Sequence, residues 1–201
     1  MGLWIALFSY SKGIKIVSHF KLIYLPLPCR REREAAFQAI RYPLKALPAA
    51  EKEKQMEIIR QQFPAGETAR LLRQFPSLQM LTWEEIRQLA AAGVEIGSHG
   101  VNHEIHHEHQ PAEVRLAELT GSKTCLEDNL GRACRAFAFP NGNFLATSPA
   151  ELAAAGYDLG FTTSPGLAAP GTDPYLLPRL EPPASLAKLA MEIFFSGAKV
   201  V

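Results

Sequence analysis

Between residues 82 and 163 the chain repeats one pattern: a helix with a start signal ends at a glycine, and a short apolar run follows at once. Thr82 precedes WEEIRQLAAAG with Glu85 three residues on, so the pair predicts a capping box and Gly93 a left-handed C-cap. VEIGS follows as a predicted short buried strand. Pro111 opens a second predicted helix, AEVRLAELTGSKTCLEDNLG, in which Val114, Leu116, Leu119, Leu126 and Leu130 give an irregular apolar face. CRAFAF is the strand after it and stops at Pro140. Ser148, followed by Pro149 and Glu151, caps PAELAAAG, Gly156 closes that helix, and YDLGFTT is the next strand. Strands separated by helices pair in parallel, because each helix returns the chain to the same end of the sheet, so an α/β fold is expected. YLLPRLE is a further candidate strand, and a last helix is expected from about Ser185 to Phe195.

The first 76 residues have a different composition. Residues 3–8 and 14–27 carry Ile, Val, Phe, Tyr and Leu with partial alternation, which predicts strands ended by Pro26 and Pro28. From Arg30 to Arg73 the good helix formers Ala, Glu, Lys, Arg and Gln dominate, and two or three helices are expected, broken near Pro43, Pro48 and Pro64. No catalytic motif falls there, so two regions are expected, residues 1–76 and residues 77–201.

The formal net charge is only +1 and the Lys and Arg residues are scattered, so no basic face is available for phosphates and no nucleic-acid partner is expected. Lys12, Lys15, His19 and Lys21 interrupt the apolar amino-terminal stretch too often for a transmembrane segment. That stretch also lacks a basic start and a clear cleavage site, so no clear signal peptide is expected and the compartment stays open. Cys29, Cys125 and Cys134 form neither a CxxC pair nor an even set, and are expected to be buried apolar fillers.

Five of the six histidines fall between residues 99 and 109, where VEIGS runs out. Ligand sites of parallel α/β sheets lie beyond the carboxyl ends of the strands, so the tract is placed at the functional edge. His99 and His103, spaced i, i+4, can turn both rings toward one point, and neutral imidazole is the commonest metal ligand. A solvated loop that picks up metal adventitiously is the competing reading; it predicts that His106, His107 and His109 matter as much as His99 and His103.

Three segments in order, LTWEEIRQLAAAGVEIGSHGVNH, RAFAFPNG and AGYDLGFTT, resemble the polysaccharide deacetylases, the NodB homology family or carbohydrate esterase family 4. The resemblance spans roughly residues 77–181. It implies a distorted (β/α) barrel whose His-[Ser/Thr]-x-x-His motif corresponds to His99–His103, with Gly100 where a hydroxyl residue is usual. His99 and His103 would then hold Zn2+ or another divalent metal, which polarises an acetyl carbonyl and lowers the pKa of a bound water. By the same resemblance the backbone N–H of Asn141, which replaces an aromatic residue after Pro140, would face the developing oxyanion, and Arg135 would orient an acidic partner. The implied partner is an acetylated oligo- or polysaccharide, and the implied location the cell envelope or the exterior.

The chain also departs from that family. The family's Asp-Asp motif precedes the histidines, whereas the three aspartates here, Asp128, Asp158 and Asp173, all follow them, and the late Leu-x-x-His motif is replaced by LLPRLE. A barrel incomplete at its amino end is therefore expected. Asp158, or Glu104, Glu108 and His106, are the candidates for completing a coordination shell. Two functional expectations stand side by side: a metal-dependent deacetylase, and a catalytically impaired member that at most binds glycan.

Overall fold

The computed structural model describes residues 14–18, 21–25, 29–75, 79–181 and 185–197. It divides into two compact units, Met1–Thr82 and Trp83–Val201.

In the first unit β1 (Ile14–Ser18) and β2 (Lys21–Leu25) pair antiparallel, Ile14 opposite Leu25 and Ser18 opposite Lys21. The strand expected at residues 3–8 lies outside the described residues. Three helices follow: α1 (Arg30–Lys45), α2 (Ala49–Arg60) and α3 (Glu67–Gln74). Pro48 is the N-cap of α2 and Pro64 falls between α2 and α3, as their fixed φ favours, but Pro43 lies inside α1 and does not break it. Ala36 and Ile40, one turn apart, are buried and anchor α1 up to the turn before the proline. Beyond it only the closing turn remains, in which the Ala46 and Leu47 amides donate to the Pro43 and Leu44 carbonyls.

The second unit carries the alternation. Helix α4 (Trp83–Ala91) ends on Gly93 at φ +89, where the Val94 amide donates to Leu89 O and the Gly93 amide to Ala90 O, a Schellman closure. Helix α5 (Ala112–Leu130) ends on Gly131 at φ +64, and α6 (Ser148–Ala154) on Gly156 at φ +78, again with a bond from Tyr157 N to Leu152 O. Strands β3 (Ala136–Ala138) and β4 (Leu159–Phe161) pair in parallel, Ala136 opposite Leu159 and Ala138 opposite Phe161. Parallel bridges extend this ladder on both sides, Ser98 to Phe137 and Phe161 to Leu177. VEIGS and YLLPRLE therefore join the sheet at one residue each rather than as full strands. Each pairs on one side only among the described residues, and the left-handed Gly100 turns the chain away directly after His99. Helix α7 (Leu186–Gly197) follows.

These strands form an open parallel sheet; among the described residues no ladder closes it into a barrel. Phe137 and Phe139, two residues apart on one face of the strand, pack with Leu119 of α5, Leu152 of α6, Cys134 and Tyr157 in the core. Their rings stand edge to face at 5.4 Å, and Phe137 is 5.4 Å from Tyr157. The buried face of α5 is not the leucine stripe expected. It consists of Arg115, Glu118, Leu119 and Ser122, while Leu116 is 46% exposed. The cysteine expectation also needs correcting: Cys134 is buried, with its thiol pKa raised chiefly by burial, but Cys29 and Cys125 are exposed. No helix among the described residues is long and apolar enough to cross a membrane.

Candidate functional site

The site begins where the sheet releases the chain. The Ser98 amide donates to Ala136 O and the Ala138 amide to Ser98 O, both at 2.8 Å, which fixes the backbone on which His99 stands. Nδ1 of His99 lies 2.6 Å from the carbonyl oxygen of Ala138. A carbonyl only accepts, so the proton sits on Nδ1 and the lone pair on Nε2, the arrangement that orients a metal-ligating imidazole. His103 brings its ring to 4.8 Å from that of His99, at 82° to it, and both side chains are exposed.

The i, i+4 spacing is met by a loop, not a helix. Gly100 (φ +86) and His103 (φ +58) are both left-handed, a conformation that a non-glycine residue holds only where its surroundings impose it. Those surroundings are Glu118. Its carboxylate accepts from the Asn102 amide at 2.8 Å, from Asn102 Nδ2 at 2.9 Å and from the Glu104 amide at 3.4 Å. Sequence reasoning missed Glu118. The available signal was the polar stripe Arg115, Glu118, Ser122, three and four residues apart on one face of a helix otherwise rich in leucine.

The remaining histidines separate. His107 and His109 stand beside one another with ring centroids 5.9 Å apart. His106 turns into the core, 1% exposed, 5.4 Å from the Phe139 ring and 5.9 Å from that of Phe137. Burial is the main cause that lowers its pKa to about 4; the Glu151 charge opposes that fall and Arg115 adds to it. Glu151 is engaged by Arg115, whose Nη2 donates at 2.6 Å and holds the carboxyl below its usual range. Of the candidates for completing a shell, Glu104 is buried and accepts from Gln110 Nε2 at 3.0 Å, Glu108 is exposed, and Asp158 is paired with Arg135.

Asn141 lies in the 3-10 turn Pro140–Gly142, directly beyond β3, at φ +59, and its Nδ2 donates to Asn143 Oδ1 at 2.5 Å. The next residue has to be glycine: at φ +76, a Cβ on Gly142 would fall 1.9 Å from Thr163 Oγ1. Asn141 thus shares the carboxyl edge of the sheet with His99. Arg135 does not. It precedes β3, and its Nε pairs with the carboxylate of Asp158, which precedes β4, both side chains being exposed. The three residues of β3 span about 10 Å and put Arg135 at the opposite edge. An Arg-x-x-x-x-Pro spacing counted along a strand runs from one end of it to the other, so the acidic partner Arg135 meets here is Asp158, at the edge away from His99.

The two imidazoles suit two of the three protein positions that a catalytic zinc uses. Among the described residues no group of three or more His, Cys, Asp or Glu side chains is placed to hold a metal ion.

A parallel sheet with a histidine pair and a left-handed turn on its carboxyl edge defines an α/β protein of the kind whose ligand sites generally lie beyond the strand ends. A family profile described as polysaccharide deacetylase matches residues 50–160, more than half of the 201, and the chain belongs to that family. The match begins upstream of the histidine and proline motifs. Among solved structures, a Streptococcus pyogenes deacetylase, PplD, in complex with acetate, is 27% identical over 61% of this chain and 54% of its own, with a TM-score of 0.54. IcaB from Ammonifex degensii is 25% identical over 57% of this chain and 54% of its own, with a TM-score of 0.49. The chain thus spans about half the length of these structures. No match was found among curated protein sequences.

Proposed function

We propose that this chain is a metal-dependent, polysaccharide deacetylase-like hydrolase that removes acetyl groups from N- or O-acetylated sugars, with its open sheet forming part of a distorted (β/α) barrel. The observation that carries the reading is the His99–Ala138 hydrogen bond, which leaves Nε2 as the free lone pair of a ring 4.8 Å from that of His103. His99 and His103 would hold Zn2+ or another divalent metal, which when bound supplies Lewis-acid polarisation of the acetyl carbonyl and an activated water. Asn141 lies in the left-handed turn at the same edge, and its backbone N–H would meet the developing oxyanion, an interaction commonly worth about 100- to 1,000-fold in rate. Arg135, at the other edge, is given an ion-pair role with Asp158 and no part in the reaction.

One observation favours the second reading, a catalytically impaired member that binds acetylated glycan. All three aspartates follow His103 in sequence, and the one beside a strand, Asp158, is engaged by Arg135. A missing general base ordinarily costs about 100- to 10,000-fold in rate.

Zinc titration of the purified protein by calorimetry, followed by acetate release from an acetylated chito-oligosaccharide, separates the two. Stoichiometric zinc with acetate release that disappears in His103→Ala supports the hydrolase. Stoichiometric zinc without release supports the impaired member, and the absence of zinc uptake removes the metal centre from both.

A further inference from the structure

We propose that Glu118 is a positioning residue for the His99–His103 pair, its buried carboxylate clamping the loop between the two rings, and that residue 100 is glycine because this carboxylate occupies the space a side chain would need. The proposal rests on the reading of that pair as a metal centre.

Glu118 is 4% exposed and belongs to the middle of α5. A carboxylate buried to that degree needs several donors, and the loop supplies three: the Asn102 amide, Asn102 Nδ2 and the Glu104 amide. The two amides flank His103, so one carboxylate fixes the backbone on either side of a metal-ligand candidate held at φ +58. Charge-assisted bonds of this kind are about twice as strong as neutral ones, enough to hold a histidine where its own backbone preference would not.

Gly100 makes the arrangement specific. At φ +86, a Cβ built on it lies 2.6 Å from Glu118 Oε2, closer than real Cβ contacts come. A serine or threonine at this position therefore does not fit while Glu118 keeps its place. Loop and helix are matched to one another: the glycine admits the carboxylate, and the carboxylate fixes the loop.

Glu118→Gln tests the claim, since glutamine keeps the length but turns an acceptor into an amide donor facing other donors. The metal-free protein gives a first readout by NMR amide exchange. Exchange at Asn102 and Glu104 is expected to accelerate about tenfold or more, with Ser98 and Ala138 in the ladder unchanged. Zinc affinity of the same variant, by calorimetry, is expected to fall about 10- to 100-fold, the usual loss when an outer-shell partner is removed. Gly100→Ala, which strains the turn at φ +86 and also pushes the carboxylate aside, is expected to give the same pair of effects. Acceleration spread equally over Ser98 and Ala138 would overturn the proposal in favour of a general packing role. So would wild-type zinc affinity in Glu118→Gln. If the wild-type protein itself takes up no zinc, the metal reading fails, and the claim that Glu118 clamps the loop is then decided by the exchange pattern alone.

Discussion

Replacing His106 with leucine should stabilise the protein, and more so in acid. The imidazole is 1% exposed between Phe137 and Phe139, and among the described residues neither ring nitrogen has a protein hydrogen-bond partner. Its pKa is lowered from 6.5 to about 4, first by burial; Glu151 and Glu118 oppose that shift, while Arg115 and His107 add to it. Because the folded value lies below the unfolded one, the histidine costs nothing in proton linkage above pH 6.5. As pH falls toward 4 the unfolded chain takes up a proton that the folded one refuses, and stability is lost. The whole difference corresponds to about 3 kcal/mol, of which about 2 kcal/mol is already lost at pH 5. Leucine does not titrate, and it removes two buried nitrogens that make no hydrogen bond, Nδ1 lying 4.0 Å from Glu151 Oε2, a gain of about 1 kcal/mol at any pH. Urea unfolding followed by far-UV circular dichroism should therefore show the variant ahead by about 1 kcal/mol at pH 8 and about 3 kcal/mol at pH 5. Subtracting the two proteins cancels the carboxylates they share. An equal gap at both pH values, or a variant less stable at pH 8, would refute the argument that burial keeps this imidazole neutral.

Arg135→Ala should leave zinc affinity and any acetate release at wild-type levels, because the Arg135–Asp158 pair sits at the edge of the sheet away from His99; a calorimetric titration with a parallel acetate assay checks it. His99→Ala should abolish zinc uptake while His107→Ala and His109→Ala leave it intact, since the ring paired with His99 is His103 and the ring beside His107 is His109; equal losses in the same titration would identify an adventitious chelating tract. Two glycines of nearly equal φ should respond differently to alanine. Gly131→Ala, with open space around its Cβ, should cost about 1 kcal/mol of backbone strain. Gly142→Ala, whose Cβ would overlap Thr163, should cost more than about 3 kcal/mol or prevent folding, as thermal melts of the two variants would show.

The carboxyl ends of the helices were legible because their cause is local, whereas Ser148, expected as an N-cap, is the first residue of α6 and follows the N-cap Thr147. Gly93 and Gly156 are left-handed where the sequence asked for helix closure, and a glycine needs no tertiary partner to adopt that conformation. Parallel strand order was legible in the alternation of elements, but strand length was not, since a ladder is made by its neighbours and VEIGS has one only at Ser98. Composition also misled on α5. Periodicity assigns leucines inward and charges outward, yet Glu118 is buried against loop amides sixteen and fourteen residues away and Arg115 against Glu151, thirty-six residues on. His106 was read with its neighbours as a candidate ligand; its burial between two phenylalanines of β3 and the turn after it depends on contacts that no spacing rule contains.

The polar face of α5 explains how so open a sheet edge holds two rings in register. Ser122 accepts from Ser98 Oγ at 2.6 Å just before His99, Glu118 takes the amides around His103, and Arg115 donates to Gln110 O at 2.5 Å where the tract ends. One helix thus ties down the loop at its start, middle and end, and its apolar residue on that face, Leu119, joins the aromatic core beneath. Such a network is coupled, because removing one member leaves buried partners unsatisfied. None of its members is an aspartate. The contacts that place His99 and His103 therefore involve none of the three aspartates, and under the proposed function ring placement and turnover would be separable. Under that reading zinc affinity should follow Arg115, Glu118 and Ser122, while any acetate release would also need a general base, which this network does not identify.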